Sequence, residues 1–158
     1  MGTKRCTDNR AFSLLELVIV VAIIAILAAI GIPRLSRGTR GASDAALTAN
    51  LALLRNAIDV YAAEHASTYP TAANIGNQLT QYTNEAGEAQ ASKDTTHIYG
   101  PYMRSIPPLP VGAKKGSTGI AAADANDVGW IYTESPGAIR ANTTASEKDD
   151  ADKLYSDY

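Results

Sequence analysis

The sequence predicts an α+β fold, with a long N-terminal helix packed on a small antiparallel sheet. Three observations carry that expectation. A long, mostly apolar run, FSLLELVIVVAIIAILAAIGI, occupies Phe12–Ile32. From about Ser43 to Glu64, the residues Leu47, Leu51, Leu54, Ile58 and Tyr61 follow alternating four- and three-residue steps, which is the spacing of one helix face. Nearer the C-terminus, Gly129–Thr133 and Ala138–Asn142 flank Glu134-Ser135-Pro136-Gly137, the pattern of a β-hairpin.

The chain has 158 residues and a formal charge of −2. With the apolar run set aside, roughly 120 residues remain, enough for one domain with its own core. The basic residues are dispersed and not interleaved with aromatic ones, so the electrostatic footprint of a nucleic-acid binder is missing and no nucleic-acid partner is expected. His65 and His97 are far apart and have no cysteine companions, which gives a transition-metal site no support. No nucleophile elbow, phosphate loop or carboxylate pair with an adjacent base is found, and the expectation is a non-catalytic protein.

Only Ser13 and Glu16 are polar within Phe12–Ile32, and a helix of about 21 residues, roughly 31 Å long, can span a hydrocarbon core. An ordinary secretory signal has a shorter apolar region with its small-residue cut site at the far end. Here the order is reversed. A hydrophilic leader, MGTKRCTDNRA, carries Lys4, Arg5 and Arg10 and ends in the small residue Ala11. A cut after Ala11 would leave the apolar run on the mature protein and remove Cys6, the single cysteine, so no intramolecular disulfide is expected. Charge does not set the topology, because Arg34, Arg37 and Arg40 follow the run and match the three basic residues before it.

The stretch Ala11-Phe12-Ser13-Leu14-Leu15-Glu16-Leu17 resembles the prepilin cleavage and methylation motif of type IV pilins and type II secretion pseudopilins. That resemblance implies a pilin-like fold, cleavage between Ala11 and Phe12 by a prepilin peptidase, and N-methylation of Phe12. It also implies a leader in the cytoplasm, a helix in the bacterial inner membrane, and a soluble domain outside that ends in a periplasmic or cell-surface filament. The partners implied are further copies of the chain, an inner-membrane assembly platform, minor pilins or pseudopilins, and membrane lipid before assembly. Glu16 stands fifth after the cut, and Pro33 sits where these helices usually carry a proline. Most members have glycine before the cut; this chain has alanine, the next smallest side chain.

An acidic side chain inside a membrane helix costs several kcal/mol unless it finds a partner. If Phe12 carries a free amine, the Glu16 carboxylate of one subunit can pair with the amine of its neighbour, and the two charges compensate only in the assembled state. The alternative is that Glu16 marks the membrane edge among headgroups. Gly31, Pro33, Gly38 and Gly41 form a breaker-rich zone that reads as a helix hinge at Gly31 and Pro33. The resulting division is a leader at 1–11, a filament-core helix at 12–33, an amphipathic helix and globular domain at 34–142, and an acidic tail at 143–158.

Tyr69-Pro70 closes the second helical stretch. Residues 71–98 read as loop with one short helix around Ala73–Tyr82, and Gly100–Gly112 as a proline-rich connector. A looser resemblance over roughly residues 60 to 142 is to the major pseudopilin of type II secretion systems, whose members often bind calcium through a C-terminal acidic loop. Asp124, Asn126 and Asp127 are the candidate donors. They fail the hand-type pattern, because Val128 takes the third ligand place and no glutamate falls at the twelfth position. The expectation is therefore no cofactor, with a solvated acidic loop and a tail carrying Glu147, Asp149, Asp150, Asp152 and Asp157. Asn142-Thr143-Thr144 matches a glycosylation sequon of the kind that arises often by chance.

Three functions fit these features. The first is a major pseudopilin subunit, favoured because many surface pilins close a C-terminal loop with a disulfide that this chain would lack after the cut. The second is the major pilin of a surface type IV pilus serving adhesion, motility or DNA uptake. The third is a singly anchored membrane protein with a ligand-binding domain that never polymerises, which leaves Glu16 without a partner.

Overall fold

The computed structural model describes residues 12–149 and 151–158, with the side chains of residues 30–38 outside the described set. The chain divides into two compact units, Met1–Thr39 and Arg40–Tyr158. Helix α1 runs from Leu14 to Glu64, so helical backbone is already present upstream of Ser43. The hinge expected at Gly31 and Pro33 falls among residues whose side chains lie outside the described set, and Ala11 also lies outside it.

Within the second unit, α1 buries the face that the periodicity picked out. Leu47, Leu51, Leu54, Ile58 and Tyr61 are all at most 2% exposed. Each such side chain contributes about 1.5–3 kcal/mol by leaving water. They close on Ile75, Leu79, Leu109, Trp130, Tyr132 and Ile139. The helix therefore packs on the chain's own sheet.

Strand β4 (Val128–Thr133) and strand β5 (Ala138–Ala141) form the expected hairpin, with Trp130 opposite Ala141 and Tyr132 opposite Ile139. The turn closes through the Gly137 N–H donating to the Glu134 carbonyl, 3.0 Å. Gly137 has φ +79, and a Cβ there would lie 2.4 Å from Cδ1 of Tyr69. Only glycine meets both demands. The hydroxyl of Tyr132 donates to the Pro70 carbonyl at 2.9 Å, which fixes the end of the α1 connection to the hairpin.

Three elements go beyond the sequence expectation. Strand β3 (Gly119–Ala121) pairs with β4 in parallel, so the three-stranded sheet β3-β4-β5 is mixed. Within 71–98, the short helix α2 (Ile75–Thr80) lies inside the predicted range, but β1 (Tyr82–Thr83) and β2 (Ala89–Gln90) add a two-stranded antiparallel ladder where loop was expected. The C-terminal segment is also fastened down. Tyr155 donates its hydroxyl to Asp44 at 2.9 Å, and the Arg55 guanidinium donates to the carbonyl oxygens of Tyr158 and Ile139. Both aromatic rings pack against the core, and Lys153 sits 3.7 Å over the Tyr158 ring, a cation–π contact. The tyrosines of the tail thus decide its course, while Asp152 and Asp157 are exposed.

Candidate functional site

Helix α1 starts on a side-chain cap. The Leu15 N–H donates to the Ser13 hydroxyl at 3.3 Å, and the Leu17 N–H to the Ser13 carbonyl at 3.2 Å. Ser13 is thus the N-cap, and Glu16 is the third residue of the helix, where a carboxylate faces the positive end of the helix dipole. Ser-x-x-Glu is the capping-box spacing. That signal was present in the sequence and points to Ser13 as a residue that orders the start of the helix, a role the motif resemblance alone did not assign.

The side chains that follow have no cover from the chain itself. Every large apolar residue from Phe12 to Leu27 is exposed, from 49% at Val20 to 82% at Phe12. A helix that is apolar all round is stable only when lipid or other protein surrounds it. Among the described residues, no helix is long and apolar enough to cross a membrane; the described side chains of this run stop at Ala29, short of its end at Ile32. Phe12 and Glu16 stand one turn apart and line a shallow groove of about 250 Å³, with Leu17, Val20 and Val21 as its apolar walls. The acidic group is therefore set in an apolar surface beside the residue that a cut after Ala11 would make the N-terminus. Farther along α1, Leu53 and Val60 are also exposed, at 47% and 40%.

The second set of candidate residues lies on the loop between β3 and β4. Asp124 accepts an ion-paired hydrogen bond from the Lys114 ammonium and one from the Asn142 amide at 2.9 Å. Asn126 and Asp127 are exposed. Among the described residues, no group of three or more His, Cys, Asp or Glu is placed to hold a metal ion. Asn142 of the sequon is buried, and its amide also donates to the Val128 carbonyl at 2.7 Å. Nearby, the Glu147 carboxylate accepts the backbone N–H groups of Ala113 and Thr144, stapling two loops together.

These contacts shift three carboxyl groups below their ordinary range. Asp124 is lowered by the Lys114 hydrogen bond first and the Asn142 amide second. Asp149 is lowered chiefly by the Tyr158 hydroxyl. For Glu147 burial alone would raise it, but the Thr144 and Ala113 N–H groups outweigh burial. A carboxyl with a depressed folded-state pKa adds stability above its unfolded value, about 4, and that stability is lost as pH falls through the folded value. The melting temperature is therefore expected to stay level from neutral pH down to about pH 5 and to drop below about pH 4. Thermal unfolding followed by circular dichroism across that range checks it. A melting temperature unchanged down to pH 3 would show that these hydrogen bonds contribute nothing.

Comparison with known families adds one match. The family model of the prokaryotic N-terminal methylation motif covers residues 6–32. The N-terminus is a type IV pilin-like prepilin signal. The matched stretch contains Ala11, Phe12, Ser13 and Glu16, and it implies processing by a prepilin peptidase and pilus-like assembly from a membrane-anchored state. No curated protein and no solved structure matches the chain.

Proposed function

We propose that the protein is a non-catalytic structural subunit of a type IV pilus-like filament, and specifically the major pseudopilin of a type II secretion system. The observation that carries the filament reading is the prepilin signal running into a helix whose apolar side chains are exposed on every face, with a single carboxylate at its start. Such a helix rests in the inner membrane before assembly and in the filament core after it, and Glu16 meets a counter-charge only in the second setting.

The pseudopilin assignment rests on a smaller point. Once cut after Ala11, the chain has no cysteine, and its C-terminal segment is held by Arg55 and Tyr155 without a covalent bond. A deletion strain is expected to lose secretion of exoproteins and to keep its surface filaments. Loss of surface pili with secretion intact would overturn the assignment and leave the surface pilin.

Intact mass spectrometry of purified filaments is expected to show a chain that starts at Phe12 and carries one added methyl group. A mass that retains Met1–Ala11 would overturn both the processing site and the cysteine-free state of the filament.

A further inference from the structure

Strands β3 and β4 are parallel, yet only residues 122–127 join them. A parallel pair ordinarily needs a crossover of a dozen or more residues. The short connection has to turn sharply, and it does so at Asp127, whose φ is +59. The Asp127 carbonyl accepts the Gly119 N–H at 2.9 Å, at a spot where any Cβ on residue 119 would lie 2.5 Å from that oxygen. The turn brings the Asp124 carboxylate and the Ala125 carbonyl together.

A backbone carbonyl and a carboxylate drawn together in this way are best satisfied by a cation. A calcium ion, which the looser family resemblance implies for an acidic loop in this part of the chain, takes six to eight oxygens. The residues here do not fit it. The Asp124 Oδ1 atom is already engaged by both Lys114 and Asn142, and Asn126 and Asp127 are exposed. The Lys114 ammonium meets the need instead. It reaches Asp124 and, at 2.7 Å, the Ala125 carbonyl, using two of its three donors. The buried Asn142 amide braces the far side of the loop through Asp124 and Val128.

We propose that Lys114 is a tethered cation that closes the β3–β4 loop in place of a metal ion, making the folded domain independent of calcium. This stands whether the filament is a pseudopilus or a surface pilus.

The test is thermal unfolding of the full-length chain in detergent, in chelator and in millimolar calcium chloride. The melting temperature of the unaltered protein is expected to be the same in both. Lys114→Ala is expected to lower it by about 2–6 °C, Asp124→Ala by a similar amount, and the double variant by no more than the larger single effect. A calcium-induced rise of several degrees in the unaltered protein would overturn the proposal, and so would single effects that are absent or simply add. If the variants fail to fold, calorimetric titration of the unaltered protein with calcium chloride still decides: no saturable heat is expected, and stoichiometric binding would overturn it.

Discussion

Glu16→Leu subunits are expected to insert into the membrane normally, to be processed, and to form few or no filaments. Insertion is expected to be unimpaired because the substitution removes an expensive polar group from an apolar helix. Assembly is expected to fail because the freed Phe12 amine would enter the filament core without a counter-charge. Leaving one ion of a buried pair alone costs roughly 3–5 kcal/mol, and the penalty recurs at each added subunit. Glu16 also stands at capping-box spacing from Ser13, a relation that Leu would remove as well. Glu16→Gln separates the two: it keeps a side chain suited to the capping box but loses the charge. Electron microscopy of cells expressing each variant as the sole subunit is the measurement. Wild-type-length filaments from Glu16→Leu would show that the charge does not drive docking, and normal assembly of Glu16→Gln with failure of Glu16→Leu would assign the effect to the cap.

Trp130→Ala is expected to destabilise the Arg40–Tyr158 unit severely. Trp130 is fully buried at the centre of β4, where the α1 stripe meets the hairpin, and its indole N–H donates to the Pro107 carbonyl at 2.9 Å. Removing so large a side chain costs about 3–5 kcal/mol through lost transfer and the cavity left behind. The abandoned Pro107 carbonyl adds to that cost. That is a large share of a typical total stability of about 5–15 kcal/mol, and the melting temperature is expected to fall by at least about 10 °C. Trp130→Phe fills most of the space but loses the donor, and the hydrogen bond alone accounts for about 0.5–1.5 kcal/mol. Circular dichroism melts of both variants separate packing from hydrogen bonding. Trp130→Ala unfolding within two or three degrees of the unaltered protein would mean that the core does not depend on this side chain.

The stripe from Leu47 to Tyr61 was legible because helical periodicity leaves one face for the core, and all five of its residues are buried. The β4–β5 hairpin was legible because its turn chemistry and flanking strands are contiguous in sequence. Strand β3 was not, since three residues with no alternation become a strand only by pairing in parallel with β4. The two-residue strands β1 and β2 likewise exist through each other. In the tail, the acidic residues gave the visible signal while Tyr155 and Tyr158 did the packing, against Asp44 and Arg55 of a helix about a hundred residues away.

The N-terminal site follows the same division. Glu16 was conspicuous because one carboxylate in an apolar run carries a large desolvation cost, and the prepilin signal around it is a contiguous motif. Ser13 carried a signal in its spacing to Glu16, but its cap became evident only from the Leu15 N–H bond to its hydroxyl. Lys114 carried none, because a lysine ten residues before Asp124 has no periodic or motif relation to it; their meeting depends on how β3 turns into β4. Features set by covalent order, periodicity and local desolvation were therefore determined by the sequence alone: the apolar helix with its prepilin signal, the buried stripe and the hairpin. Features that arise when distant segments share one surface were decided only by the tertiary structure: the parallel third strand, the fastened tail and the cation within the acidic loop. Their energies come from pairings that exist only once the chain has folded.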